Sequence, residues 1–322
     1  LVYGATGTTN LTLIGERITA GQVMSSAMLL VGIGLLLIGF AFKVALAPFH
    51  MWAPDVYEGA PTPITAYMAA AVKAAAFAAF LRVFFEAFGG SAEAWHIAIW
   101  WLAALTMVVG NIVALASKNI KRMLAYSSIA HAGYILVLLA TGQALGSSAF
   151  LFYIVAYTLA TFGAFGVVVA LGQAGEPHLN IDDYAGLWTA RPWLSVAMAV
   201  CMLSLLGFPV FGGAGFFAKW YVLQAALQSA APQTHLAVIL VLTSVVSCGY
   251  YMYVVLVMFM KPRGAGKTVG EASGVGSATR WVIGLSTVIL LALGVFPNAL
   301  VSLTQRSGSY LKPAQSTAVV RR

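Results

Sequence analysis

Three lysines stand inside long apolar stretches, where a positive charge is costly. They are Lys43 in Phe40-Ala-Phe-Lys43-Val-Ala-Leu-Ala-Pro48, Lys73 in Tyr67-Met-Ala-Ala-Ala-Val-Lys73-Ala-Ala-Ala-Phe77, and Lys219 in Gly215-Phe-Phe-Ala-Lys219-Trp220. At the centre of a bilayer-spanning helix a lysine costs about 2.5–3.5 kcal/mol on insertion scales, so each is a functional candidate by default. Alanines on both sides leave room around Lys73. A fourth candidate is His131, in Tyr126-Ser-Ser-Ile-Ala-His131-Ala-Gly-Tyr134. Ser127 and Ser128 precede it by three to four positions, so hydroxyls and imidazole share one helical stripe that could hold ordered water. Histidine titrates near neutrality and suits a proton relay along such water. Burial disfavours a lysine's charged form and a nearby carboxylate favours it, so a lysine whose partner moves can load and release a proton. The chemistry these residue types point to is proton movement.

The counter-charges are less accommodating. No acidic residue lies deep inside an apolar run. Glu86 and Arg82 read as an interfacial i,i+4 pair at the end of the second run. Asp55 and Glu58 read as loop residues after the first run, and Glu176, Asp182 and Asp183 fall in a long loop after the fifth. A carboxylate for Lys43 is therefore expected from outside this sequence. Cys201 and Cys248 have no His or Cys at ligand spacing and read as small core residues rather than a zinc site or disulfide. Gly264-Ala-Gly266-Lys267-Thr268 has the ending of a phosphate loop, but Lys261 stands where the first Gly is needed and no strand precedes it. No metal, flavin or nucleotide site is expected.

The elements that must position these groups are membrane helices. Of the 322 residues, 61% are hydrophobic and 8% charged, far below the roughly 25% charged residues of a soluble domain. The +8 net charge sits mostly between apolar runs, which argues for membrane topology and against nucleic acid. Eight runs are long enough to cross a bilayer, at about 20 residues each: 24–49, 62–86, 95–117, 122–141, 147–171, 193–229, 235–260 and 280–303. Short breaks between them imply one antiparallel bundle, a single transmembrane domain over 1–322. The sixth run is too long for one straight crossing. Gly207, Pro209, Gly212, Gly213 and Gly215 cluster in its middle and should break it. The first run is expected to distort near Pro48. Broken helices at membrane depth line cavities and ion sites.

Loops after the odd-numbered runs hold Lys118, Lys121, Arg122, Arg191, Lys261, Arg263 and Lys267, whereas the internal loops on the other side have no Lys or Arg. The basic side should face the cytoplasm, although the tail with Arg306, Lys312, Arg321 and Arg322 falls opposite. Runs 1 and 6 then cross in opposite directions, which allows an inverted repeat pairing runs 1–2 with 6–7. The start, Leu1-Val2-Tyr3-Gly4, has no Met or signal pattern and reads as the end of an upstream helix.

Two long stretches resemble the antiporter-like membrane subunits of respiratory complex I, the bacterial NADH:quinone oxidoreductase. Trp52-Ala-Pro-Asp55-Val-Tyr57-Glu58-Gly59-Ala-Pro61-Thr-Pro63 is similar to the subunit N branch, and Lys118-Asn-Ile-Lys121-Arg122-Met-Leu-Ala-Tyr126-Ser-Ser-Ile-Ala-His131-Ala-Gly-Tyr134 is a second match. The resemblance runs from the first run through the seventh. It implies an all-α polytopic bundle with an inverted repeat and discontinuous helices. Lys43 would be the lysine of the first broken helix, Lys73 that of the central channel, Lys219 that of the second broken helix, and His131 a relay between them. It further implies a non-redox subunit in the bacterial inner membrane, beside other membrane subunits, with FMN, iron–sulfur clusters and quinone in other chains. Two departures stand out. About six upstream helices, one with a glutamate for the first lysine, have no counterpart, and Gly207–Gly215 is longer than the usual Gly-x-Pro-Pro break. Two other readings are a cation/proton antiporter subunit, and a passive scaffold whose lysines merely pair with neighbours.

Overall fold

The computed structural model describes residues 1–172, 179–209, 213–229, 231–262 and 275–308. The Gly264–Thr268 segment, Glu176, Gly212, Arg263, Lys312, Arg321, Arg322 and the side chain of Arg306 lie outside them.

Two short helices, α1 (Val2–Thr6) and α2 (Leu11–Thr19), come before the first expected run. Asn10 caps α2, its side chain accepting from the Leu13 amide at 3.1 Å. The α2 helix packs where the second span ends, and Thr12 donates to Glu86 at 2.6 Å. Then come α3 (Ser26–Lys43) and α4 (Trp52–Gly59). The second span, Thr62–Ala87, consists of α5 (Thr62–Tyr67), a π stretch Met68–Val72, α6 (Lys73–Arg82) and a second π stretch Val83–Ala87. It is followed by α7 (Ala92–Ala116), α8 (Ile120–Ala140), α9 (Gln143–Leu171), α10 (Leu187–Ala190), α11 (Pro192–Leu206), α12 (Ala214–Gln228), α13 (Thr234–Met260), α14 (Ser277–Val295) and α15 (Pro297–Gly308).

Among the described residues, seven helical spans are long and apolar enough to cross a membrane. The sixth run adds a crossing of another kind. Its halves, α11 and α12, have 15 residues each, or about 22 Å at 1.5 Å per residue, too short alone for hydrocarbon about 30 Å thick. Together they make one interrupted crossing, as the Gly/Pro cluster predicts. The last run divides as well, because Pro297 begins α15, where its missing N–H costs nothing, so α14 ends at Val295.

The first break differs from expectation. Helix α3 ends at Lys43, before Pro48 is reached, and Ala45 takes φ +59°. Thr106 of α7 accepts from the Ala47 amide at 3.0 Å and ties the turn to the bundle. The stretch with Asp55 and Glu58 is the helix α4, not a loop. Pro54 sits in its first turn, where proline is tolerated, and Asp55 lies near the positive end of the helix dipole.

Helix α8 is the axis of the bundle. Its span is 94% buried, against 17% for α14 at the periphery. Helices α4, α7, α9, α12 and α13 pack around it. Asn119 caps it by accepting from the amides of Lys121 and Arg122. The stripe carrying Ser127, Ser128 and His131 therefore lies at the centre of the molecule.

Candidate functional site: a polar axis through the bundle

Lys73 is the first residue after a π stretch, a helix irregularity that recurs at functional sites. It is 3% exposed. Its ammonium donates to the Ser128 carbonyl at 2.8 Å and to the Ser128 hydroxyl. Tyr157 of α9 donates to the Ala69 carbonyl inside that π stretch at 3.1 Å, so a hydroxyl meets the released backbone beside the lysine.

One residue before Ser128, the Ser127 hydroxyl bonds the Tyr251 hydroxyl of α13. Tyr251 also lies 3.1 Å from His131 Nε2, while Tyr153 of α9 lies 2.7 Å from Nδ1. Both ring nitrogens thus have phenol partners, and the tautomer decides which donates. The rings of Tyr134 and Tyr157 lie 5.5 and 5.1 Å from the imidazole. A second row runs beside this one: Tyr250 donates to Asn111 Oδ1 at 3.0 Å, and Asn111 donates to the Tyr134 hydroxyl at 2.9 Å.

Lys219 closes the axis at the second break. Gly207 ends α11 at φ +78°, and the carbonyl of Leu206 accepts from the Lys219 ammonium at 2.8 Å. The cation therefore sits on the negative end of a half-helix. Ser244 of α13 accepts a second bond at 3.2 Å, and the ammonium lies 4.7 Å over the Tyr134 ring. Gly207 has no substitute here, since an added Cβ would meet Lys219 Cδ at 2.9 Å. Gly215 lets α12 cross α11 closely, because a Cβ there would lie 1.8 Å from the Ser204 carbonyl.

Between His131 and Lys219 lies a cavity of about 10 Å³, lined also by Tyr153, Tyr157 and Ser204. That is room for about one water. The buried Ser204 hydroxyl has no partner among the described residues, as a water-binding position requires. The arrangement is a nearly continuous row of groups that both donate and accept protons, with a lysine at each end.

Of the four residues expected from sequence, the structure brings Lys73, His131 and Lys219 together and leaves Lys43 apart. Lys43 is exposed on the outward side of the first break, beside the exposed Phe42. The expectation that Lys43 is buried is corrected on this point, because no described element covers that face. The Arg82–Glu86 pair forms as expected at 3.0 Å. Arg122 joins Asp55 at 2.9 Å and Glu58 at 2.7 Å, an ion cluster at the end of α8 that faces the basic loops. Tyr57, between those carboxylates in sequence, is buried and bonds Ser128, extending the axis toward the cluster.

Sequence reasoning missed Tyr153, Tyr157, Tyr250, Tyr251, Asn111 and Ser244. Only Asn111 carried a usable signal, as a lone amide in the apolar α7 run. Tyrosines in apolar runs look like ordinary core aromatics, and only the fold turns the hydroxyls of Tyr153 and Tyr251 toward His131.

A family model described as NADH:quinone oxidoreductase/Mrp antiporter, TM, matches residues 1–258. The chain belongs to that family. NADH-quinone oxidoreductase subunit N of Gemmatimonas aurantiaca is 51% identical over 321 residues, which cover all of this chain and 61% of that protein. Subunit N of Trichlorobacter lovleyi is 47% identical over 307 residues, covering 95% and 62%. The chain thus spans about three-fifths of the length of these relatives. Among solved structures, a chain of respiratory complex I from Thermus thermophilus with bound aureothin matches with a TM-score of 0.75 at 39% identity, over 93% of this chain and 62% of that one. A chain of the Mrp complex from a Dietzia species matches with a TM-score of 0.84 over 97% of this chain and 64% of that one, but at 22% identity it shares the fold alone. Within the family, the similarity to subunit N expected from the Trp52–Pro63 and Lys118–Tyr134 stretches is borne out.

Proposed function

We propose that this chain is the proton-relaying part of a subunit N of bacterial NADH:quinone oxidoreductase, set in the inner membrane among the other membrane subunits of the complex. Protons move along Lys73, Ser128, the Ser127–Tyr251–His131 triplet and Lys219. The energy comes from quinone reduction carried out by other chains, and this chain supplies no redox centre. The observation that carries the reading is the nearly continuous row of exchangeable groups between buried Lys73 and Lys219. A lysine that served only packing would not end a row of hydroxyls and imidazole, and buried polar groups in a membrane are expensive enough to mark a pathway.

The roles follow from geometry. Lys73 and Lys219 are loading positions, each held by neutral acceptors that tolerate both ammonium and amine. His131 can accept on one nitrogen while it releases from the other, provided Tyr251 and Tyr153 exchange donor and acceptor roles. Lys43 acts with a neighbour that covers the first break, and its carboxylate comes from that neighbour. The test is replacement of Lys73 or Lys219 by Met in the assembled complex. Coupled proton pumping and quinone reductase activity should both fall, and normal pumping in both variants would favour a scaffold. Copurification with a flavin-containing NADH-oxidising arm separates this reading from an antiporter subunit with no redox partner.

A further inference from the structure

A buried group can bond on every side and still not pass a proton, and Asn111 meets both conditions. Glycines bring its helix into position. An added Cβ at Gly110 would lie 2.5 Å from the Ala130 amide nitrogen, and one at Gly133 would lie 2.7 Å from Met107 Cγ, so α7 and α8 touch closely. Asn111, next to Gly110 and fully buried, thereby reaches Tyr134, next to Gly133.

The amide has one orientation. The Met107 carbonyl only accepts, so the amide nitrogen must face it, and Nδ2 donates there at 2.7 Å. The second hydrogen goes to the Tyr134 hydroxyl at 2.9 Å, and Oδ1 accepts from Tyr250 at 3.0 Å. Beyond Tyr250 this row meets the relay, because the Tyr250 and Tyr251 hydroxyls interact and their rings lie 4.3 Å apart. Beyond Tyr134 it meets Lys219, because the Tyr134 hydroxyl interacts with Ser244, which accepts from the ammonium at 3.2 Å. The row leaves the relay at Tyr251 and rejoins it at Lys219, so it is a detour around His131.

Tyr250, Tyr134 and Ser244 carry hydroxyls, which take and give a proton at one atom. The amide between them cannot. A proton taken at Oδ1 and one given from Nδ2 to Tyr134 would leave an imidic acid, with an O–H in place of the carbonyl and a single N–H on Met107. Resetting it for another proton needs a donor to that nitrogen other than Tyr134, and the Met107 carbonyl has no hydrogen to give. We infer that Asn111 is an insulating link: it holds Tyr250 and Tyr134 in place beside Lys219, yet closes the detour so that protons pass through His131. An aliphatic side chain would insulate too, but would leave two buried hydroxyls short of a partner. An aspartic acid would satisfy them and conduct, since a carboxyl group takes a proton on one oxygen, gives one from the other and is restored. The inference rests on the relay reading above.

The test uses the assembled complex in membrane vesicles and reads protons pumped per NADH oxidised. His131→Leu should lose most coupled pumping. Adding Asn111→Asp opens the detour and should raise pumping about tenfold over His131→Leu, the effect of about 1.4 kcal/mol on a barrier. Adding Asn111→Leu instead should restore nothing. An amide that served only to join α7 to α8 would change assembly and melting in both double variants and restore pumping in neither. No restoration by Asn111→Asp, or equal restoration by Asn111→Leu, would therefore overturn the insulator. Asn111→His is a second carrier, since its ring takes a proton on one nitrogen and gives one from the other, and the same outcomes decide in whichever variant assembles. A loss in Asn111→Leu alone as deep as in His131→Leu would make the row a conductor and overturn the inference as well. Normal pumping in His131→Leu defeats the relay reading, whereas lost pumping there without rescue defeats only the insulator.

Discussion

Removing one oxygen atom should disconnect the relay. The Tyr251 hydroxyl bonds both Ser127 and His131 Nε2 and so links the serine pair to the imidazole. In Tyr251→Phe the ring keeps its place between α8 and α13, but two buried polar groups lose a partner. Each orphaned group costs about 1–3 kcal/mol. If that cost enters the barrier for proton passage once, transfer slows by roughly 5- to 150-fold, at 1.36 kcal/mol per factor of ten. Assembly should survive, since the volume change is one hydroxyl. The assay is coupled proton uptake by vesicles carrying the variant complex, read beside quinone reductase activity and the amount of assembled complex. Ser127→Ala is the partner measurement: it removes one bond of the hydroxyl and leaves the His131 contact, so its effect should be smaller. Full pumping by Tyr251→Phe, with Lys219→Met impaired in the same preparation, would refute this route. The parallel row through Tyr250, Asn111 and Tyr134 would then be the conductor, and Asn111→Leu would show the loss instead.

Other outcomes follow from other contacts. Gly207→Ala should destabilise the complex by about 1–2 kcal/mol through its left-handed backbone and should displace Lys219, lowering both melting temperature in detergent and pumping. Arg122→Ala removes partners from Asp55 and Glu58 at a half-exposed site, so its stability effect should stay below about 1 kcal/mol and shrink further in high salt. Outside the membrane, Lys261 donates to Asp182 at 2.7 Å, and this bond, with that to Tyr253, raises the lysine above its ordinary range. A raised folded value means the stabilisation is present below the ordinary lysine range and is lost as pH rises through the folded value. The small difference in thermal stability between the native chain and Asp182→Asn should therefore vanish in strongly alkaline buffer and persist near neutrality. A difference that grew with pH would contradict the assignment.

The bundle was legible because membrane helices announce themselves by length and polarity alone. The runs at 62–86, 95–117, 122–141, 147–171 and 235–260 agree with the observed spans to within a few residues, apart from the start of the third. The break at Gly207–Gly215 was legible for the same reason, since a 37-residue run cannot cross about 30 Å of hydrocarbon straight. What escaped was curvature inside apolar sequence. Nothing in Phe42-Lys43-Val44-Ala45 distinguishes a chain reversal from a continuing helix, and Pro48 drew the expected break four residues too late. The π stretch at Met68–Val72 is equally silent, because alanine, valine and methionine fit α and π turns alike. Of the site, the charged ends were readable and the middle was not. A lysine in hydrocarbon stands out by its cost, whereas a tyrosine costs little until one knows which way its hydroxyl points.

That difference in cost explains why Lys73 and Lys219 each sit against acceptors supplied by a helix end or a neighbouring helix. A regular helix bonds each carbonyl internally and leaves an ammonium only the second lone pair. At Gly207 the α11 ladder stops and the Leu206 carbonyl turns to Lys219. Lys73 follows a π stretch and borrows a carbonyl and a hydroxyl from α8. Two charge-assisted bonds at about 1.5–3 kcal/mol each offset the insertion cost of about 2.5–3.5 kcal/mol without any carboxylate. Because neutral groups alone hold both lysines, an ammonium and an amine can occupy either site with little rearrangement. A fixed carboxylate would favour the charged form and hold the proton there. Lys43 has no such acceptors in the described structure and lies exposed, so it is the one lysine whose proton a carboxylate from a neighbour can control. Exchange without pairing at Lys73 and Lys219, and pairing from outside at Lys43, would give the axis a switch at one end and free passage beyond it.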